Sequence, residues 1–240
     1  MERRDFLRVT AAGAIVVCSP SLITTELRAD DGRLYKSYNK VLLVDEEGNP
    51  LTHTALQKEQ AFIFNYPFVA TPVMLINLEK RTRQDVTMKS AAGETYIWRG
   101  GAGNDRTLVA YSAICSHQLT HPNPNDSFVT YSGKNKTMSC SRKGVIVCAS
   151  HLSAFNPRDG GMQIAGPADE ALASVVLEVD EKDQIWAVGV LGPDKFHEFF
   201  KSFKDEFKEH YGGKRKAKKL VSDEAKTTIL DNYSAEVVPL

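Results

Sequence analysis

Two short stretches of this chain carry residues that could do chemistry together. Cys115-Ser116-His117 offers a thiol and an imidazole spaced C-x-H, and Cys148-Ala149-Ser150-His151 offers a second pair spaced C-x-x-H. Two thiolates and two imidazoles suit a [2Fe–2S] centre in which two His replace two Cys on one iron. A tetrahedral zinc ion accepts the same two sulfurs and two nitrogens, so the ligand set alone leaves the metal open.

The elements that must position these pairs read as short strands. Lys40–Val44, Ala61–Phe64, Val73–Leu78, Thr95–Trp98 and Thr107–Tyr111 are rich in β-branched and aromatic residues. They are punctuated by Gly48-Asn49-Pro50, Pro67, Pro72, Gly93 and the Gly100–Asn104 run. Even spacing of strands and turns predicts an all-β sandwich or barrel, not a βαβ repeat. Val145-Ile146-Val147 leads into the second Cys-His pair, and 174–179 with 184–190 form a predicted closing hairpin around Asp180–Asp183. From residue 193 the period changes. Phe196, Phe199, Phe200, Phe203 and Phe207 recur at helical spacing up to Gly212-Gly213, which predicts an amphipathic helix. The basic run Lys214–Lys219 follows. Such a helix packs its Phe stripe on the domain beside a solvated basic run, or docks on a partner subunit or an anionic membrane surface.

Composition narrows the class. The 240 residues hold 30 Lys+Arg against 30 Asp+Glu, so no global charge points to nucleic acid. Of the four cysteines, Cys18 lies in an apolar N-terminal stretch and Cys140 between the two pairs, which argues against a disulfide framework. The chain begins Met1-Glu2-Arg3-Arg4-Asp5-Phe6-Leu7 and turns apolar from Val9 to Ile23, which resembles a twin-arginine export signal. As a helix those apolar residues would reach ~22 Å, short of the ~30 Å hydrocarbon core. Export to the periplasmic side of the cytoplasmic membrane is therefore expected, with a cleaved signal and a retained anchor both open.

The surroundings of the two pairs carry a more specific resemblance. His151-Leu152-Ser153-Ala154-Phe155, the turn at Asp159-Gly160-Gly161 and the later Gly166-Pro167-Ala168 resemble the second box, the following turn and the proline loop of Rieske iron–sulfur proteins. The likeness spans about residues 60–192 and is strongest over 114–168. It implies a Rieske-type antiparallel β-sandwich with a two-loop cluster-binding subdomain and one [2Fe–2S] cluster. Cys115 and Cys148 would ligate the inner iron, and His117 and His151 the outer. Ser153 would donate its hydroxyl to a bridging sulfide, and Gly166 and Pro167 would lie over the cluster. Phe155 stands where high-potential members carry a Tyr, which implies a potential below the top of the range of roughly −150 to +300 mV. Thr120 and Ser150 stand where quinol-oxidising members carry a disulfide, so that brace is missing here. The long spacer between the boxes carries Asn135, Lys136, Thr137 and Cys140, the last expected as a free thiol in a strand, and His121 is expected as a loop histidine. The chain then divides into residues 1–28 (signal or anchor), 29–60 (linker and first strand), 61–192 (Rieske domain) and 193–240 (C-terminal helical, basic extension).

These features predict an electron carrier within a larger complex. The leading expectation is the iron–sulfur subunit of a quinol–cytochrome c reductase, partnered by cytochrome b and a c-type cytochrome, with quinol as donor and a membrane nearby. The alternative is the small subunit of a periplasmic molybdenum oxidoreductase of arsenite-oxidase type, beside a molybdopterin catalytic subunit. An oxygenase would need a mononuclear iron on two His and a carboxylate. His197 and His210 fall on the predicted helix, and the short stretch after Gly192 has no room for that catalytic domain. A zinc-stabilised binding module is the third class.

Overall fold

The computed structural model describes residues 34–133 and 142–238. The expected export signal with Arg3 and Arg4, Cys18, and the spacer residues Asn135, Lys136, Thr137 and Cys140 lie outside the described residues. In chain order the first strands are β1 (Tyr35–Val44), β2 (Ala61–Asn65), β3 (Pro72–Asn77), β4 (Val86–Lys89), β5 (Thr95–Trp98) and β6 (Leu108–Ser112). Next come β7 (Asp126–Ser127), β8 (Val129–Ser132), β9 (Val145–Cys148), β10 (Ser153–Asn156) and β11 (Met162–Ala165). β12 (Ser174–Val179) and β13 (Ile185–Leu191) form the expected hairpin. The C-terminal part contains α1 (Phe196–Ser202), α2 (Lys204–Tyr211), α3 (Lys214–Ala217), β14 (Glu224–Ile229), α4 (Leu230–Tyr233) and β15 (Glu236–Val237).

Seven strands close into a barrel in the order β1-β13-β12-β6-β3-β2-β14, and β8 to β11 form a separate four-stranded antiparallel sheet. The expected all-β architecture is present, with its larger sheet closed on itself. Strand β3 shows why the two parts hold together. All six of its residues are buried, because alternate side chains of a strand point to opposite faces. Val73 and Leu75 join the core shared with Val41, Leu43, Phe64 and Ala187. Met74 and Ile76 join a second core with Tyr111, Cys115, Ile146, Cys148 and Phe155. The outer face of β3 and β6 is thus the floor on which the cysteine-bearing region sits.

The C-terminal segment belongs to the same body. β14 pairs in parallel with β1 and antiparallel with β2, which makes it the stave that closes the barrel. The described parts of residues 29–60 and 193–240 thus supply strands to the barrel: β1 and β14 would each leave an open sheet edge if removed. The Phe stripe packs on the barrel, with Phe196, Phe199, Phe200 and Phe207 buried in the first core. The predicted single helix is two, broken at Phe203 (φ −105°, ψ 43°). At the break Phe203 packs against the first core and also against His121, 4.6 Å between ring centroids, while Phe207 keeps its place beside Phe199 at 5.1 Å. Among the described residues no helix is long and apolar enough to cross a membrane.

Candidate metal centre

The two Cys-His pairs, 30 residues apart in sequence, meet at one end of the four-stranded sheet. The first lies in the loop after β6. Its turn is closed by the Leu119 N–H donating to the Cys115 carbonyl at 2.9 Å and the Cys115 N–H to the Thr120 carbonyl at 2.8 Å. The second occupies the β9–β10 turn, where Cys148 pairs directly with Ser153. Leu119 and Leu152 follow the histidines of the two boxes, and both take the left-handed conformation, at φ 63° and 60°. Non-glycine residues adopt it only where the surroundings dictate the turn.

Burial sorts the four donors into two layers. Cys115 and Cys148 are each 1% exposed, whereas His117 is half-buried and His151 exposed. The imidazoles cross edge to face, 4.9 Å between centroids at 82°. No group of three or more His, Cys, Asp or Glu among the described residues is arranged around one metal ion. A thiol layer beneath an imidazole layer is what two irons with separate ligand pairs require, and a single tetrahedral zinc does not. Two polar atoms test the fit independently. His117 Nδ1 and Ser153 Oγ are buried without a hydrogen-bond partner. Orphaned polar atoms are rare in native interiors and point to a missing partner. An iron at the nitrogen and a sulfide at the hydroxyl would satisfy both.

The sulfur environment suits thiolates. The Cys148 pKa is lowered by a hydrogen bond from the Cys115 thiol, against burial, with help from the Ser150 and His151 N–H groups and the Thr120 hydroxyl. Cys115 is pushed up by that same bond and by burial, although the N–H groups of His117 and Gln118 also point at its sulfur. Two sulfurs ringed by backbone donors favour the deprotonated form that a metal binds.

The other sequence-predicted residues lie around the same two loops. Thr120 Oγ1 lies 3.3 Å from Ser150 Oγ, so a hydroxyl pair joins the two loops where quinol-oxidising members carry a disulfide. Phe155 is wholly buried in the core that contains both cysteines. Gly166 has φ +84°, and a Cβ there would lie 2.5 Å from the Leu152 carbonyl oxygen and from Ser153 Cα. Proline loop and second box touch backbone to backbone, with Pro167 exposed at the rim. A Gly166→Ala chain is therefore expected to melt lower by ~2–4 kcal/mol of stability and to lose iron faster, as thermal unfolding and iron assay would read. Sequence reasoning missed three contacts of this region. Ser116 Oγ donates to the Glu170 carbonyl at 2.8 Å. The Glu170 carboxylate accepts from Lys195 Nζ at 2.6 Å. His121 Nε2 lies 2.8 Å from Glu206 Oε1. Each joins residues far apart in the chain, and no local pattern marks such partners.

Comparison with known proteins follows this geometry. The family model described as "Rieske [2Fe-2S] domain" matches residues 73–176. The iodate reductase subunit IdrB of Denitromonas iodatirespirans is 36% identical over 192 residues, covering 80% of this chain and 82% of that one. The chain belongs to the Rieske [2Fe–2S] family. Its cofactor is accordingly a Rieske-type cluster, not zinc. The IdrB of Pseudomonas sp. (strain SCT) is 32% identical over 139 residues, and that match spans 58% of this chain and little more than half of the relative, 57%. A putative respiratory nitrate reductase subunit Rieske of Haloferax mediterranei is 23% identical over 200 residues, 79% of this chain and 77% of that one.

Proposed function

We propose that this chain is the electron-transfer subunit of an exported oxidoreductase whose large catalytic subunit, of molybdopterin type, acts on an oxyanion such as iodate. The observation that carries this reading is the 36% identity to an iodate reductase subunit across four-fifths of both chains. Of the two complexes that the sequence leaves open, it favours the molybdenum oxidoreductase over the quinol–cytochrome c reductase. The hydroxyl pair Thr120–Ser150 and the apolar Phe155 agree with it.

In this reading Cys115, Cys148, His117 and His151 hold the cluster. The cluster supplies one-electron storage. The chain's own residues do the rest. Burial of both cysteines keeps water from the sulfurs, and backbone N–H groups of both boxes spread their negative charge. Ser153 Oγ aims a hydroxyl inward with no other acceptor. His151 is exposed, as are its neighbour Leu152, at 40%, and Pro167 of the proline loop. An imidazole at an apolar rim lets a partner approach without burying an unpaired charge.

Purification from native membranes or periplasm tests the assignment. Recovery with a large molybdopterin subunit and iodate- or nitrate-dependent reoxidation of the reduced cluster supports it. Recovery with cytochrome b and quinol-dependent reduction overturns it in favour of the cytochrome c reductase. Export by the twin-arginine route is part of the proposal. Cell fractionation should find the cluster-loaded chain on the periplasmic side, and a loaded pool confined to the cytoplasm would contradict it.

A further inference from the structure

We propose that His121 is a positioning residue: with Glu206, Phe199 and Phe203 it clamps the first cluster loop to the C-terminal extension and so holds His117 in place for the cluster. The inference rests on the cluster reading of the preceding subsection.

His121, expected as a loop histidine, is only 6% exposed. Its Nδ1 lies 2.8 Å from the Leu119 carbonyl oxygen and its Nε2 2.8 Å from Glu206 Oε1. Each ring nitrogen thus has an oxygen partner at hydrogen-bond distance. Phe199 and Phe203 close on the ring edge to face, with centroids 4.7 and 4.6 Å away. The contact therefore fixes the ring in position and orientation together.

What the ring holds is the strained part of the loop. Leu119 is left-handed, two residues after His117, and its carbonyl is the one His121 grips. A leucine in this conformation persists where neighbours over-determine it. The next residue, Thr120, carries the hydroxyl that reaches both Ser150 and the Cys148 sulfur. A displacement at His121 is thus passed to one cluster loop directly and to the other through Thr120.

The extension grips the same loop a second time. Ser234 Oγ donates to the Asn123 carbonyl at 2.6 Å. The Ala235 N–H donates to the Pro124 carbonyl at 3.0 Å, the Glu236 N–H to Asn125 at 3.1 Å and the Val238 N–H to Ser127 at 2.9 Å. β15 lies parallel to β7 along this line. Residues 121–127 are therefore lined by α1, α2 and the last strand, all C-terminal to the hairpin that completes the cysteine-bearing domain. The two ends of this brace are the helices rooted in the barrel core and the strand that follows the stave β14.

The test compares H121A, E206A, the double variant H121A/E206A and E206Q as full-length, cluster-loaded chains. Iron release to a chelator, reduction potential and the width of the reduced-state paramagnetic spectrum are measured, with far-UV circular dichroism as the folding control. H121A and E206A should each release iron about tenfold faster, the lower end of what loss of an outer ligand partner costs. They should also broaden the spectrum while the dichroism stays that of the unaltered chain. The double variant should be no faster than the quicker single, because the two side chains act as one clamp. E206Q keeps an oxygen before Nε2 and should be affected far less than E206A. If H121A does not fold, E206A against E206Q carries the same comparison. Release rates and spectra equal to the unaltered chain, or single effects that multiply in the double, overturn the clamp. An unaltered chain that purifies with iron absent overturns the cluster reading instead.

Discussion

A Cys148→Ser chain is expected to purify without its cluster: no visible absorption, no reduced-state paramagnetic signal and no bound iron. The expectation follows from what surrounds the sulfur. Cys148 is 1% exposed and is approached by the N–H groups of Ser150 and His151, an environment prepared for an anion. A thiol ionises there and a metal completes the ionisation. A serine hydroxyl in the same place keeps its proton and offers a hard oxygen where the iron–sulfur cluster needs a soft sulfur. Cys115→Ser should behave alike, since its sulfur accepts from His117 and Gln118. A serine variant that keeps full iron content and an unchanged spectrum would show that the cluster is not held by these sulfurs.

Ser153→Ala and Phe155→Tyr are expected to move the reduction potential in opposite directions. Reduction adds negative charge to the cluster, so a hydroxyl donated to its sulfur stabilises the reduced form and raises the potential. Ser153 Oγ is a buried donor with no acceptor among the described residues. Removing it should lower the potential by ~40 mV, the one-electron equivalent of about 1 kcal/mol for a hydrogen bond. Phe155 is wholly buried in the core that holds both cysteines. A hydroxyl added to its ring finds a cluster sulfur or stays unpaired at a cost of ~1–3 kcal/mol. The first outcome raises the potential by about the same ~40 mV, whereas the second leaves the potential unmoved and lowers the melting temperature. Redox titration of both variants decides: an unmoved or lowered potential in Phe155→Tyr overturns the expectation for Phe155, and an unmoved or raised one in Ser153→Ala overturns that for Ser153.

The two Cys-His boxes, and the family resemblance of the residues around them, were legible in the sequence because both boxes are local. Cys115 with His117, and Cys148 with His151, sit within one turn of each other, and such a turn brings its residues together whatever the rest of the chain does. Gly166 was legible for a similar reason, as its positive φ suits a glycine and the neighbouring proline marks the turn. Strands such as β3 announced themselves by continuous apolar runs. The Phe stripe was visible too, but its break at Phe203 was not, because a steady helical period carries no sign of a ring that also packs against a histidine in another loop.

Tertiary structure alone decided which distant residues serve the centre. His121 and Glu206 are separated by 85 positions, and Ser234 and Asn123 by 111. Neither residue of such a pair has an unusual type or spacing where it stands. The same holds for β14, whose Glu224–Ile229 alternation is short and polar on one face and follows a basic run, so it reads as a tail. It becomes a barrel stave only because β1 and β2 leave a gap between their edges that a strand of its length fills. Local spacing placed each thiol beside its imidazole, and the resemblance of the surrounding residues implied the cluster. The long-range contacts, set by closure of the barrel, determined what holds the binding loops still.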